Sequence, residues 1–222
     1  MNGARGLLLD VGVVFFKSAW EMADDFERLC NLRPGTVEGR GPMDPDGDPL
    51  WESYGRGEIT ERDYWLSYSD RAVQNGAPLN GHPTFMRAIA QAPGMDPIRP
   101  EGRALVRSCV DNGIRVGILT NELIDFQGRD WVEAQDWFPW FEVLVDSSEL
   151  GVRKPDPEPY RVAIERMELA PDEIVFIDDN PAYVEGGRDA GLRSVHLDVK
   201  DPPGAYRYAV LQLGLPWGCL RG

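Results

Sequence analysis

Cysteine, histidine, lysine and long hydrophobic runs are all scarce in this chain of 222 residues, and these scarcities argue against particular classes of site and of protein. The three cysteines lie far apart without a C-x-x-C pair, which argues against a zinc site or a disulfide framework and fits a reducing compartment. The apolar run near the N-terminus is interrupted at Asp10, so it is too short for a signal peptide or a membrane span. We therefore expect a cytoplasmic protein.

Positive charge is also scarce, because 23 Lys and Arg residues face 37 Asp and Glu residues and leave a net charge of −14. Such a chain repels polyanions, so neither nucleic acid nor an anionic membrane is expected as its main partner. Any phosphate that it binds must be held by local features such as a metal ion, one cation or backbone N–H groups. The three lysines stand at positions 17, 154 and 200, so a lysine inside a motif carries weight.

Strands and helices alternate from residue 95 onward, a pattern typical of an α/β fold. The apolar run Gly6–Phe16 predicts a first buried strand that runs into a turn, and later apolar runs predict four more strands. Helices between the strands then favour a doubly wound parallel sheet. The later strands are predicted at 114–120, 141–146, 174–178 and 193–197, and the helices at 101–112, 157–168 and 182–190.

The segment that follows the first strand has a different character, because it contains no convincing strand pattern. Ser18 and Thr60 are each placed to cap a helix. We therefore predict two domains. One is an α/β core formed by residues 1–16 and 95–222, and the other is an all-helical insertion formed by residues 17–94.

Polar side chains cluster where the predicted strands end. In an open parallel sheet, ligands bind beyond the carboxyl ends of the strands, so residues at those ends are expected to meet. Three acids, a hydroxyl, an amide and a lysine are found there. These residues are Asp10, Thr120, Asn121, Lys154, Asp178 and Asp179.

The three acids suit attack on a phosphate group beside a metal ion. The Asp10 carboxylate can attack phosphorus and form an aspartyl-phosphate. An anion that attacks a phosphate dianion needs its charge neutralised, and Mg²⁺ held by carboxylates and phosphate oxygen does this. Asp10 and Asp179 would supply the carboxylates, and Asp178 would act directly or through water.

Phosphate contacts are predicted for the remaining residues at this edge. Lys154 offers a compact positive charge to the phosphate and to Asp10. Thr120 and the backbone N–H of Asn121 offer hydrogen bonds to the transferring oxygens. The whole set therefore predicts transfer of a phosphoryl group to a carboxylate.

Four short motifs carry these residues in a fixed order. They are D-x-x-x-V from Asp10, Thr-Asn at 120–121, G-x-x-K-P-D-P from Gly151, and I-D-D-N-x-x-x-V-x-G-x-x-x-x-G-L from Ile177. This order resembles the four motifs of the haloacid dehalogenase (HAD) superfamily of phosphohydrolases, and the resemblance covers most of the chain. It implies a Rossmann-like core, Mg²⁺ as the cofactor, and a helical insertion that acts as a small cap over the substrate.

The resemblance also implies roles for individual residues. Asp10 would be the nucleophile, Thr120 and Lys154 would hold the phosphate, and Asp179 would be the main metal acid, with the backbone carbonyl of Gly12 as a further metal ligand. Within the insertion, the stretch 51–60 (WESYGRGEIT) is similar to the cap of a bacterial branch. That branch includes sugar-1-phosphate phosphatases and the N-terminal domain of soluble epoxide hydrolases.

One position departs from the pattern of the family. Most of its phosphatases have a second Asp two residues after the nucleophile, where it protonates the leaving oxygen and later activates water, but this chain has Gly12. Three explanations are open: the cap lends an acid, the substrate has a good leaving group such as an anomeric or acyl phosphate, or turnover is weak or absent. The candidate cap acids are Asp48, Glu52, Glu58 and Asp63.

The sequence thus predicts a Mg²⁺-dependent phosphohydrolase, a monomer or homodimer, acting on a small phosphorylated metabolite. Two alternatives remain open. One is a metal-independent 2-haloacid dehalogenase, in which the same aspartate attacks carbon; the paired acids at 178–179 argue against it. The other is a phosphometabolite-binding protein that lost efficient turnover together with its acid.

Overall fold

The computed structural model describes residues 3–220 and divides the chain into two compact units. Met1–Phe16 and Ile98–Gly222 form one of them, the core unit, and Lys17–Pro97 form the other, the helical unit. Where the core unit is interrupted, Phe16 and Ile98 pair as an isolated antiparallel bridge. Among the residues described, no helix is long and apolar enough to cross a bilayer.

The helical unit consists of four α-helices and connecting loops within the described residues. Ser18 and Thr60 cap two of these helices as predicted, and each cap is a capping box in which an acid three residues later bonds back to the backbone N–H of the cap. The loops include two short 3₁₀ turns between residues 41 and 47. The helices are α1 Ala19–Leu29, α2 Pro49–Gly55, α3 Glu61–Gln74 and α4 Phe85–Ala90.

A parallel sheet of five strands, counted over residues 3–220, forms the centre of the core unit. Its order is β3-β2-β1-β4-β5, so the first strand is central and the chain winds outward in both directions. The predicted α/β fold with a doubly wound parallel sheet is therefore confirmed. The strands are β1 Gly6–Leu9, β2 Arg115–Thr120, β3 Val143–Asp146, β4 Ile174–Asp178 and β5 Arg193–His196.

Strand β1 is buried on both of its faces, and its pairing sets the register of the two strands beside it, β2 and β4. Leu7, Leu8 and Leu9 are all fully buried, although successive side chains of a strand point to opposite faces. Leu9 lies level with Ile118 of β2 and with Ile177 of β4. The carboxyl ends of these three strands therefore meet at one edge of the sheet.

Helices of the core unit follow most strands, as the alternating pattern predicts. Several were not predicted, above all the last long helix, because its apolar residues give no clear helical stripe in the sequence. Pro at the first helical position starts three of the longer ones. The helices are α5 Pro100–Asp111, α6 Leu123–Gln127, α7 Arg129–Glu133, α8 Ser147–Leu150, α9 Pro157–Met167, α10 Pro181–Asp189 and α11 Pro202–Leu213.

The strand and the turn that were predicted within Gly6–Phe16 are both present. The strand ends at Leu9, and Val11–Phe15 form a turn in which Gly12 and Val13 have non-helical backbone angles. Both parts of the run are apolar because both are buried, so apolar character alone does not locate the boundary between them. The third strand begins at Val143 rather than at Phe141, which instead packs edge-on against Phe15.

A buried carboxylate holds the loop before α2 against α3 in the helical unit. Asp48 is fully buried and accepts hydrogen bonds from the Tyr64 hydroxyl at 2.8 Å and from the backbone N–H of Gly41 at 3.1 Å and of Trp51 at 3.3 Å. Arg71 pairs with it at 3.5 Å. Asp48, considered above as a cap acid, is therefore a structural residue without access to a substrate.

Removal of this carboxylate should destabilise the protein strongly. Asp48→Ala leaves the Tyr64 hydroxyl, two backbone donors and Arg71 without their acceptor, and loss of one partner from a buried charged network costs about 3 kcal/mol. We expect a decrease of that size in the free energy of unfolding, measured by urea denaturation. The control is Asp46→Ala, an exposed acid of the same loop that should change it by less than about 0.5 kcal/mol. Equal effects of the two variants would contradict the prediction.

Candidate active site

The level register of β1, β2 and β4 brings most of the predicted residues to one edge of the sheet. Asp10 directly follows β1, Thr120 is the last residue of β2, and Asp178 is the last residue of β4. Lys154 reaches the same edge from the loop between α8 and α9, where it is almost completely buried. Predictions based on strand ends therefore identified residues that lie together in the fold.

Three carboxylates form a compact acidic cluster at this edge. Asp10, Asp178 and Asp179 each offer an oxygen, and these oxygens lie within 4.8 Å of one another. Asp178 is fully buried, whereas Asp10 is slightly exposed. The Oδ1 atom of Asp10 is buried and accepts no hydrogen bond from any residue in 3–220. The cluster thus combines close negative charges with an unsatisfied oxygen.

The ammonium group of Lys154 lies among these acids. Its Nζ atom donates to Asp178 Oδ2 at 2.6 Å and to the Leu119 carbonyl at 3.0 Å, and it lies 3.3 Å from Asp10 Oδ1. The last contact is an ion pair that is not aligned as a hydrogen bond. Because an ammonium has three N–H groups and two are used, the third remains for a phosphate oxygen beside Asp10.

Burial and charge act in opposite directions on the pKa values of this group. Burial lowers the pKa of Lys154, but the negative charges of Asp10 and Asp178 outweigh it, so that pKa is raised and the lysine stays charged. Burial raises the pKa of Asp178, the charge of Asp10 adds to the rise, and Lys154 counteracts it. The charge of Lys154 therefore opposes the rise in the pKa of Asp178 that burial causes.

Asn121 has a role that the sequence did not reveal. Its side-chain Oδ1 accepts from the backbone N–H of Lys154 at 2.9 Å, and its Nδ2 donates to the backbone carbonyl of Lys154 at 3.3 Å. These paired contacts hold the Lys154 backbone from the end of β2. The phosphate contact through the backbone N–H of Asn121 stays a prediction, whereas its side chain is a support for the lysine.

His196 is a second residue whose place could not be predicted. Its Nε2 lies 2.9 Å from the backbone carbonyl of Asp179, and His196 pairs with Asp178 across β4 and β5. Only the register between these two strands brings the ring there, and no sequence motif encodes that register. The ring supports the backbone of the acidic pair.

Gly12 lies in the turn after Asp10, in a conformation that any residue can adopt. Its φ and ψ are −58° and 134°, in the extended region. A Cβ atom added at this position would contact only Asp10 Oδ2, at 4.0 Å. Neither backbone strain nor packing therefore requires glycine here, and there is room for a side chain next to Asp10.

The residues at this edge fit a magnesium ion. Mg²⁺ prefers hard oxygen ligands and is commonly held by one or two carboxylates, with water and phosphate completing its coordination. The acidic cluster provides such oxygens, and the unsatisfied Oδ1 of Asp10 is a buried acceptor that lacks a donor. Both oxygens of Asp178 already accept hydrogen bonds, from Lys154 and from the backbone N–H of Asn180.

Comparison with known proteins identifies the family. The sequence pattern of the haloacid dehalogenase-like hydrolases matches residues 49–191, more than half of the chain, and the chain belongs to this family. Lys154 and the acidic pair lie within the matched region, whereas Asp10 precedes it.

Curated relatives with phosphatase names are similar over part of their length. A phosphoserine phosphatase from Thermus thermophilus is 28% identical over 158 residues, which are 68% of this chain and 63% of that protein. A phosphatase from Mycobacterium tuberculosis is 29% identical over 134 residues, 60% of each chain. A bifunctional epoxide hydrolase 2 from Sus scrofa is 31% identical over 86 residues, 37% of this chain and 16% of that protein. The chain thus spans less than two thirds of each of these relatives.

Solved structures share the fold at low sequence identity. A putative HAD-type hydrolase from Bacillus subtilis, bound to magnesium, has a TM-score of 0.62 and 19% identity, covering 88% of this chain and 87% of that chain. An L-2-haloacid dehalogenase from Xanthobacter autotrophicus has a TM-score of 0.52 and 18% identity, covering 87% and 77%. These likenesses show that the chain shares the fold of both proteins.

Loss of the lysine charge should make stability depend more steeply on pH. In Lys154→Met, the opposition of the lysine to burial and to Asp10 is lost, so the folded pKa of Asp178 rises further above the unfolded value. Stability from a raised carboxyl pKa is present at low pH and is lost as pH rises, by up to about 1.4 kcal/mol per pH unit for one proton.

We expect the Tm deficit of Lys154→Met relative to the unchanged protein to widen from pH 5 to pH 8, measured by thermal unfolding in EDTA. Lys200→Met is the matched control, because Lys200 is an exposed lysine of the same unit. Its Tm should follow that of the unchanged protein at every pH. A constant deficit for Lys154→Met would mean that the lysine does not set the charge of Asp178.

Proposed function

We propose that the protein is a Mg²⁺-dependent phosphohydrolase that acts on a small phosphorylated metabolite through an aspartyl-phosphate on Asp10. The observation that carries this proposal is the convergence of Asp10, Asp178 and Asp179 within 4.8 Å around the Lys154 ammonium. A carboxylate nucleophile beside oxygen ligands and one buried cation is suited to phosphoryl transfer, in which charge neutralisation and positioning do most of the work.

The reaction has two steps at Asp10. In the first, a carboxylate oxygen of Asp10 forms a bond to phosphorus while the bond from phosphorus to the leaving oxygen breaks, and that oxygen takes up a proton. In the second, water attacks the phosphorus, the carboxylate of Asp10 is restored and inorganic phosphate is released. Bound Mg²⁺ would neutralise charge on the phosphate oxygens, held by Asp10, Asp179 and the Gly12 carbonyl, with Asp178 acting through water.

Lys154 and the end of β2 would hold the phosphate. The Lys154 ammonium lies 3.3 Å from Asp10 Oδ1, so an oxygen of a phosphoryl group on Asp10 would lie within its reach. Thr120 ends β2 at the same edge, and the backbone N–H of Asn121 follows it. The helical unit, inserted directly after the turn that follows Asp10, would serve as the cap that selects the substrate.

The acids of the helical unit are poor candidates for the missing proton donor. A hydrogen bond from Arg56 lowers the pKa of Glu58, and hydrogen bonds from Thr60 lower that of Asp63, so both are anionic at neutral pH. Glu52 pairs with Arg56 at 3.4 Å. With Asp48 buried in its own network, the proposal favours substrates whose leaving group needs little protonation, such as an anomeric or acyl phosphate.

Replacement of the nucleophile should abolish turnover. Asp10→Asn removes the attacking carboxylate, and we expect hydrolysis of p-nitrophenyl phosphate in Mg²⁺ to fall by about 10⁴-fold or more. The control is Asp189→Asn, which changes an exposed acid at the end of α10 and should leave the rate unchanged. Full activity of Asp10→Asn would reject the aspartyl-phosphate mechanism.

Introduction of an acid at position 12 should extend the range of substrates. Gly12→Asp has room for its side chain, and general acid catalysis is worth about 10²–10⁴-fold for a leaving group that needs a proton. We expect kcat/KM for glycerol 1-phosphate to rise toward that range while hydrolysis of p-nitrophenyl phosphate changes little. Gly12→Asn, of equal size but without an acid, is the control. An equal effect of both variants would show that the side-chain acid is not what this chain lacks.

Two other functions make different predictions for the same purified protein. A 2-haloacid dehalogenase would release halide from 2-chloropropionate without Mg²⁺. A phosphometabolite-binding protein would bind phosphate without hydrolysing p-nitrophenyl phosphate at any Mg²⁺ concentration. The acidic cluster favours the phosphohydrolase over the dehalogenase, because a carbon-centred displacement by Asp10 has no need for three converging carboxylates.

A further inference from the structure

The turn after Asp10 is tied to the core unit by three consecutive carbonyl groups. The Val13 carbonyl accepts from Arg99 Nε at 3.1 Å and from Arg99 Nη2 at 2.9 Å. The Val14 carbonyl accepts from the Tyr206 hydroxyl at 2.5 Å, and the Phe15 carbonyl from the backbone N–H of Arg99 at 2.9 Å. Arg99 thus bonds to this turn through both its side chain and its backbone.

Val13 has a backbone conformation that needs such support. Its φ is 60°, in the left-handed region that β-branched residues rarely adopt. A residue in this conformation is strained, and it persists only where its surroundings determine it. Arg99 is buried, and two N–H groups of its guanidinium donate to the carbonyl of Val13, which follows the unusual φ.

The orientation of the Gly12 carbonyl depends on this support. The peptide plane that contains this carbonyl lies between ψ of Gly12 and φ of Val13, so a change in φ of Val13 would rotate it. Without the Arg99 hydrogen bonds, φ of Val13 would relax toward negative values and turn the Gly12 carbonyl away from its present direction. The same rotation would disturb Asp10, whose carbonyl accepts from the N–H of Phe15 across the turn, at 3.3 Å.

We infer that Arg99 is a positioning residue for the metal site: it holds the strained turn so that the Gly12 carbonyl and Asp10 face the ion together. This inference rests on the proposed function, because it needs a bound Mg²⁺. Arg99 touches neither substrate nor metal in this role and acts through its hydrogen bonds to the turn, including those to the Val13 carbonyl. Tyr206 donates to the carbonyl of Val14. It contributes less to the position of the turn, because it supplies one side-chain hydrogen bond and Arg99 supplies two.

The test compares Mg²⁺ affinity with stability in variants of the full chain. Arg99→Met removes both hydrogen bonds to Val13, and Arg99→Lys keeps the charge with a single donor. Partners outside the ligand shell typically change metal affinity by about 10–100-fold. We expect the Kd for Mg²⁺, measured by titration calorimetry, to rise about tenfold or more in Arg99→Met and less in Arg99→Lys. Tyr206→Phe should raise it by a smaller factor.

Arg166→Met is the matched control, because Arg166 also donates to a backbone carbonyl of the core unit, that of Leu144 at 2.7 Å, on strand β3. It should leave the Kd for Mg²⁺ unchanged even if its Tm decreases. If Arg99→Met does not fold, Arg99→Lys and Tyr206→Phe decide the matter by the same measurement. Folded variants that keep an unchanged Kd for Mg²⁺ overturn the role of Arg99, whereas absence of Mg²⁺ binding in the unchanged protein overturns the proposed function itself.

Discussion

The active-site edge depends on one buried positive charge among carboxylates. Asp178 is fully buried and Asp10 nearly so, and a buried carboxylate is stable as an anion only when it is paired and hydrogen-bonded. Lys154 supplies the charge at 2.6 Å from one acid and 3.3 Å from the other. Its position is in turn held by Asn121 from β2, so a strand end, a loop and a lysine form one unit. The arrangement balances the buried negative charge of this edge within the protein itself.

The sequence predicted most of the regular structure and most of the candidate site, because both depend on local signals. Ser18 and Thr60 carry their capping side chains with them, and buried strands are recognisable as short apolar runs. Residues at strand ends converge whenever the sheet is parallel, so Asp10, Thr120 and Asp178 could be found without coordinates.

What the sequence could not predict depends on distant partners. A turn after β1 was predicted, but nothing in the sequence indicated that Arg99, 86 positions from Val13, bonds to it. Asp48 resembled a possible cap acid because its four partners lie on separate segments of the helical unit. The side chain of Asn121 was likewise assigned no role, since the backbone of Lys154, to which it is hydrogen-bonded, is 33 positions away.

The central place of β1 in the sheet has a consequence for how the protein is made. Its apolar residues are synthesised before the whole helical unit, whereas both strands that pair with them, β2 and β4, are synthesised after it. During synthesis β1 therefore remains an unpaired apolar segment, and such segments favour self-association. The acidic cluster can form only after Asp178 and Asp179, which end and follow β4, have been translated.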